Sequence, residues 1–122
     1  MSYTIGTLIY GVTSDGRDAI AEALGKVLYP PTNHHPFRVS DLCYEDFENN
    51  GFHLRYTDDG YPTYWCGIRI GEITEVDNVR VSDLPQPSDE QKTRAREQIA
   101  NLLPAVQAVC GKPDLWIIWS RS

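Results

Sequence analysis

The alternation of hydrophobic and polar residues divides the first half of the chain into a strand and two helices. Residues 3–12 carry apolar side chains at both alternating sets of positions, which predicts a central strand covered on both faces. Residues 20–28 carry a helical stripe of Ile, Leu and Val, and Pro30 ends that predicted helix. Ser40 begins a short predicted helix with Phe47 on its inner side.

The segment GFHLRYTDDGYPTYWCGIRI, residues 51–70, predicts two strands around a tight turn. If Asp58, Asp59 and Gly60 form a three-residue loop, Gly60 takes the left-handed position. A two-residue turn would mix apolar and charged side chains on both faces, so the hydrophobic pattern favours the longer loop. The resulting pairs are Leu54 with Tyr64 and Phe52 with Cys66 on one face, and His53 with Trp65 and Arg55 with Thr63 on the other.

The second half of the chain predicts further strands around a long helix. Residues 72–84 indicate another strand or strand pair. Ser88 and Gln91 form a capping box that begins the strongest predicted helix, and Pro104 either kinks this helix or starts a second one. Residues 114–120, DLWIIWS, predict a short, buried final strand.

This order of elements predicts an α+β fold in a single domain, residues 1–122. We expect an antiparallel or mixed sheet of about five strands, with two main helices packed mostly on one face. The 122 residues contain 41% hydrophobic and 23% charged side chains, which is ordinary globular usage.

The charge and cysteine content restrict the predicted partners and location. The 17 acidic residues outnumber the 11 Lys and Arg, and the net charge of −6 disfavours general nucleic-acid binding while favouring a basic protein partner. The widely spaced Cys43, Cys66 and Cys110 predict reduced thiols in a cytoplasmic protein. No apolar stretch approaches the roughly 20 residues of a membrane span, and the N-terminus has no signal-peptide pattern, so no membrane partner is expected.

Histidines and cysteines are the residue types that suggest metal binding or catalysis. His34 and His35, with Cys43 and His53 downstream, are zinc-type ligands, but their spacing matches no known zinc finger. We therefore predict no metal, no cofactor and no catalytic residue. A small enzyme in which Cys43 is the nucleophile and a nearby histidine the base remains an alternative.

Two groups of residues are candidate binding sites. The acidic cluster Asp41, Glu45, Asp46 and Glu48 indicates a solvated helix face first, and an interface with a basic partner second. The second candidate site is the polar face of the predicted hairpin, where the alternation places an aromatic ring beside cationic side chains. Such a combination is typical of protein-binding hot spots and of sites for anionic ligands. These side chains are His53, Arg55, Trp65 and Arg69. The opposing interpretation, given equal weight, is that this face is covered and Trp65 belongs to the core.

The leading functional hypothesis is a non-catalytic acidic protein that binds another protein, as an interaction module or inhibitor. Its size and charge are those of immunity proteins and phage-encoded inhibitors, an analogy of size and charge alone. Trp65 and Arg55 would anchor the partner, and the acidic cluster would steer it. The alternatives are a small anionic ligand, such as a nucleotide, on the Trp/Arg face, and a symmetric homodimer through a sheet edge.

Overall fold

The computed structural model describes residues 4–14, 19–32, 34, 41–56, 62–74 and 80–121. Within them the chain is α+β, with one four-stranded antiparallel sheet and four α-helices. In chain order the elements are β1 (Thr4–Thr13), α1 (Ala19–Leu28), α2 (Tyr44–Glu48), β2 (His53–Tyr56), β3 (Pro62–Thr74), a 3₁₀ helix (Val81–Asp83), α3 (Asp89–Ala100), α4 (Pro104–Cys110) and β4 (Asp114–Arg121).

The sheet has the strand order β2-β3-β1-β4. Strand β1 pairs with both β3 and β4, and Leu8 and Ile9 are both fully buried although they point to opposite faces. The predicted central strand, covered on both sides, is therefore confirmed. The prediction that the last strand is buried is wrong, because β4 is an outer strand and Trp116 and Trp119 are both partly exposed.

The predicted number of strands and helices needs correction. Strand β3 continues through residues 72–74, and Val81–Asp83 forms a 3₁₀ helix instead of a further strand. Residues 75–79, in the middle of the predicted strand or strand pair, lie outside the described residues. The four helices are the two main predicted ones, the short predicted helix, which is α2, and a separate helix that starts at Pro104. The Ser88–Gln91 capping box at the start of α3 is confirmed.

The predicted hairpin register is confirmed where the structure describes it. His53 lies opposite Trp65, Leu54 opposite Tyr64 and Arg55 opposite Thr63. The loop residues Asp58, Asp59 and Gly60, on which the sequence argument depended, lie outside the described residues. The observed pairing is the one that the alternation of apolar and polar side chains favoured.

The main core lies between the helices and the sheet face that carries Val12 and Cys66. Side chains from α1, α2 and α4 pack there with Phe52, and the ring of Phe47 stacks on that of Tyr64 with centroids 3.5 Å apart. The burial of these apolar side chains is the principal driving force for this half of the fold.

The opposite face of the sheet is concave because the sheet curls strongly. Gly11 lies opposite Gly67, and a Cβ atom on Gly11 would be 2.0 Å from the Cys66 carbonyl oxygen, so two glycines are needed for this close approach. The outer strands β2 and β4 come into contact, and Arg55 Nε donates a hydrogen bond of 3.0 Å to Ser120 Oγ. The curl thus encloses side chains on a face that the main core does not reach.

Candidate functional site

Trp65, the central residue of the predicted recognition surface, is a core residue. Its side chain is only 9% exposed and clusters with Ile9 and Ile118 on the concave face. The His53 imidazole stacks on the indole, with ring centroids 4.3 Å apart. The sequence grouped His53 and Trp65 on one face correctly, but the indole is not available as an anchor for a partner.

The two arginines of the predicted surface have separate protein partners. Arg55 is directed across the concave face to Ser120 on β4, whereas Arg69 forms an exposed ion pair with Glu72. Neither Arg55 nor Arg69 lines the two grooves described below, which are formed by described residues. The described geometry therefore gives no support to a nucleotide site built from Trp65 and these guanidinium groups.

The acidic cluster contains one carboxylate that is hydrogen-bonded within the chain, that of Asp46, and others that are exposed. Asp46 Oδ2 accepts a hydrogen bond of 3.0 Å from the backbone N–H of Cys43, and this bond lowers the pKa of the Asp46 carboxyl. The Tyr29 hydroxyl also donates to Asp46, and the negative charge of Asp46 raises the pKa of Tyr29. Asp46 thus fixes the start of α2, while Glu45 and Glu48 are exposed.

The described contacts of Cys43 do not form a catalytic pair. The Cys43 thiol donates to Asp46 Oδ2 at 3.4 Å, whereas nucleophilic cysteines are activated by a basic or positively charged neighbour. His34 is exposed, and His35 lies outside the described residues. In the part of the chain that the structure describes, no three His, Cys, Asp or Glu side chains converge to hold a metal ion. None of the described helices is both long enough and apolar enough to cross a membrane.

The larger of the two described grooves runs along β2 and has a volume of about 610 Å³. That volume is within the range of natural ligand-binding sites. The end of α2 and the strand β2 form one wall, and the last turn of α3 forms the other. Its lining residues are Glu48, Gly51, Phe52, His53, Leu54, Gln98 and Asn101.

The groove combines an apolar base with polar walls. Phe52 is buried and Leu54 half-buried, while Glu48 and Asn101 are exposed. Among the described lining residues there is one carboxylate, that of Glu48, and no lysine or arginine. The groove can therefore bind a cationic or amide-bearing chain more readily than an anion.

Sequence reasoning found part of this groove and missed the rest. It named His53 and Glu48, but it assigned them to two different surfaces. It missed Gln98 and Asn101, which lie one helical turn apart on α3. Their only signal is this spacing, which polar residues on solvated helix faces share, so the sequence alone does not single them out.

The outer strand β4 carries partly exposed apolar side chains on both of its faces, with Ile117 and Trp119 on one face and Trp116 on the other, each between 36% and 40% exposed. Trp116 Nε1 donates to the Gly11 carbonyl at 3.2 Å, which holds its ring against β1. The homodimer through a sheet edge stays a prediction, and β4 is an outer strand of the kind it requires.

The comparisons with known proteins add no assignment. The chain matches no protein-family model, no curated protein and no solved structure. The functional argument therefore depends on the geometry of the groove and on the charges around it.

Proposed function

We propose that this chain is a non-catalytic protein-binding module that holds a basic segment of another protein in the groove between β2 and α3. The observation that supports this proposal is the groove of about 610 Å³ whose charged lining side chain is the carboxylate of Glu48. Glu45 lies three residues before Glu48 on α2 and is also exposed. Acidic side chains at a groove attract and orient a basic partner.

The charge of the whole chain supports the same partner class. The net charge of −6 raises the local concentration of cationic partners and repels anionic ones. The proposal differs from the hypothesis drawn from the sequence in its anchor, because the buried Trp65 is replaced by the groove. The acidic cluster still attracts the basic partner in this proposal. Asp46 is left out of that role because its carboxylate accepts hydrogen bonds from Cys43 and Tyr29.

The test compares two charge reversals of equal size. The wild-type chain is immobilised, and the proteins that it retains from a lysate of the source cells are identified. One of these partners is then purified, and its affinity for the wild type, Glu48→Lys and Asp83→Lys is measured by titration calorimetry. Glu48 ends α2, where a lysine favours the helix dipole, so this variant keeps its fold. Asp83 is exposed and does not line the groove.

We expect Glu48→Lys to weaken binding roughly tenfold, because one attraction becomes a repulsion, and Asp83→Lys to leave it within about twofold. The affinity of the wild type should also fall as salt concentration rises. Equal affinities for the two variants, or an acidic surface on the purified partner, would contradict the proposal.

A further inference from the structure

The backbone of β2 presents unpaired edge positions to the groove. Among the described strands, β2 pairs only with β3. Pro62 lies opposite Tyr56 and has no N–H, so these two residues do not form a hydrogen-bonded pair of the ladder. Because bonded and non-bonded pairs alternate, His53 and Arg55 bond to β3, and the N–H and C=O of Leu54 are directed away from it.

A second contact gives the same alternation independently. The Tyr64 carbonyl accepts a hydrogen bond of 2.9 Å from the N–H of Ser14, at the end of β1. Tyr64 is the residue opposite Leu54, so its carbonyl is directed away from Leu54. Leu54 therefore faces outward from the ladder, and it also lines the groove.

The opposite wall of the groove carries groups that match a peptide backbone. The side chains of Gln98 and Asn101 each offer an amide N–H₂ and a carbonyl oxygen. An extended chain in the groove would have Leu54 on one edge and these two amides on the other. Hydrogen-bond partners would then be present on both edges of the added strand.

Only the first half of β2 is open in this way. The Arg55 side chain reaches Ser120 on β4, and β2 contacts β4, so the second half of β2 adjoins another strand. Glu48 lies at the open half and supplies a negative charge for a lysine or arginine of the added strand.

Building on the proposed function, we propose that the basic partner segment binds as a short extended strand that pairs with Leu54 at the open edge of β2. A cationic side chain of that strand lies beside Glu48. The added strand takes the next place in the sheet beyond β2, in the manner of β-strand addition.

The test uses two synthetic peptides of equal charge, an alternating valine–lysine hexapeptide and a lysine–alanine peptide of helical pattern. Amide hydrogen exchange of the uniformly ¹⁵N-labelled protein is measured by NMR with each peptide. We expect the valine–lysine peptide at about 20 mM to slow exchange at Leu54 by about fourfold or more, because its N–H becomes hydrogen-bonded in the complex. The Arg55 N–H, already in the ladder, serves as the internal control and should change by less than about twofold.

A third peptide separates strand pairing from charge alone. It carries N-methyl groups on alternate residues of the valine–lysine sequence, which remove backbone donors and leave the charge unchanged. We expect it to bind about tenfold more weakly or not at all. Unchanged exchange at Leu54, equal binding of the helical peptide, or no binding of the valine–lysine peptide at about 20 mM would each overturn strand addition.

These outcomes are distinct from a failure of the proposed function. If Glu48→Lys weakens binding of the purified partner but that partner leaves exchange at Leu54 unchanged, the groove binds a basic segment in another conformation. If Glu48→Lys has no effect on the partner, the proposed function itself fails.

Discussion

Replacing Trp65 with alanine tests whether the concave face of the sheet is a second core. The indole is 9% exposed and packs with Ile9 and Ile118. A tryptophan side chain has an accessible surface of about 220 Å², and burial of nine-tenths of it removes about 200 Å² from water. At about 25 cal/mol per Å² this contributes about 5 kcal/mol as an upper bound, and compactness of the unfolded chain reduces it to about 3–4 kcal/mol.

Trp119→Ala is the matched control, because the same side chain is removed from a partly open site. Trp119 is 38% exposed, so about 140 Å² is buried and the same arithmetic gives about 2–3 kcal/mol. No enclosed cavity is left at the surface, whereas a cavity adds to the cost at Trp65.

The assay is urea unfolding followed by far-ultraviolet circular dichroism, with both variants compared with the wild type. With a slope of about 1.5 kcal/mol per molar urea, the midpoint should fall by about 2–3 M for Trp65→Ala, with the cavity placing it at the upper end, and by about 1.5 M for Trp119→Ala. Equal shifts for the two variants, or a shift below about 1 M for Trp65→Ala, would refute the enclosure of the indole.

Four further predictions follow from individual contacts, each checked by a single measurement. Gly11→Ala should lower the free energy of unfolding by about 2 kcal/mol or more, because its Cβ would meet the Cys66 carbonyl; an unchanged urea midpoint would contradict the close approach. Thr7→Val should raise the unfolding free energy by about 1 kcal/mol, since Thr7 Oγ1 is buried and, among the described residues, without a hydrogen-bond partner; a lower melting temperature would show that the hydroxyl is satisfied. Burial raises the pKa of Cys66 to about 11, so iodoacetamide should label the exposed Cys43 in the native protein and Cys66 only after unfolding, as read by peptide mass spectrometry. The pKa of the Asp46 carboxyl is lowered in the folded state, so its contribution to stability is present above about pH 4 and is lost at lower pH. The difference in melting temperature between the wild type and Asp46→Asn should therefore become smaller as the pH falls, and a difference that does not change with pH would contradict this.

The sequence predicted the features that depend on neighbouring residues. The hairpin register follows from an alternation of period two, which places Leu54 and Tyr64 on one face and His53 and Trp65 on the other. The capping box at Ser88 is likewise local, because it involves a side chain only three residues away. Such signals need no knowledge of the rest of the fold.

The features that the sequence did not predict depend on contacts between distant segments. Burial of Trp65 requires the sheet to curl, and the curl requires Gly11 to meet Gly67 across two strands. It also brings Arg55 to Ser120, 65 residues away in the chain. Because side chains alternate between the two faces of a strand, the sequence predicts which of them share a face. It does not predict whether that face is flat and exposed or concave and enclosed.

The groove was missed for a related reason. Gln98 and Asn101 lie on the polar side of an amphipathic helix, where most residues are simply solvated. The helix α3 packs on β3 and β1, and only the folded chain brings its end to the same groove as the edge of β2. The sequence contained the residues of the site but not their juxtaposition.

The length of the open edge sets the strength expected of the proposed interaction. At Arg55 the strand β2 adjoins β4. Among the described residues of β2, Leu54 is the one whose backbone N–H and C=O are both directed into the groove. Two backbone hydrogen bonds at about 1 kcal/mol each and one exposed ion pair of at most about 1 kcal/mol give a few kcal/mol. Such a total corresponds to millimolar binding by the shortest peptide, so a partner that binds at micromolar concentration must gain the remaining free energy from its contacts with the apolar base at Phe52 or from surfaces beyond the groove.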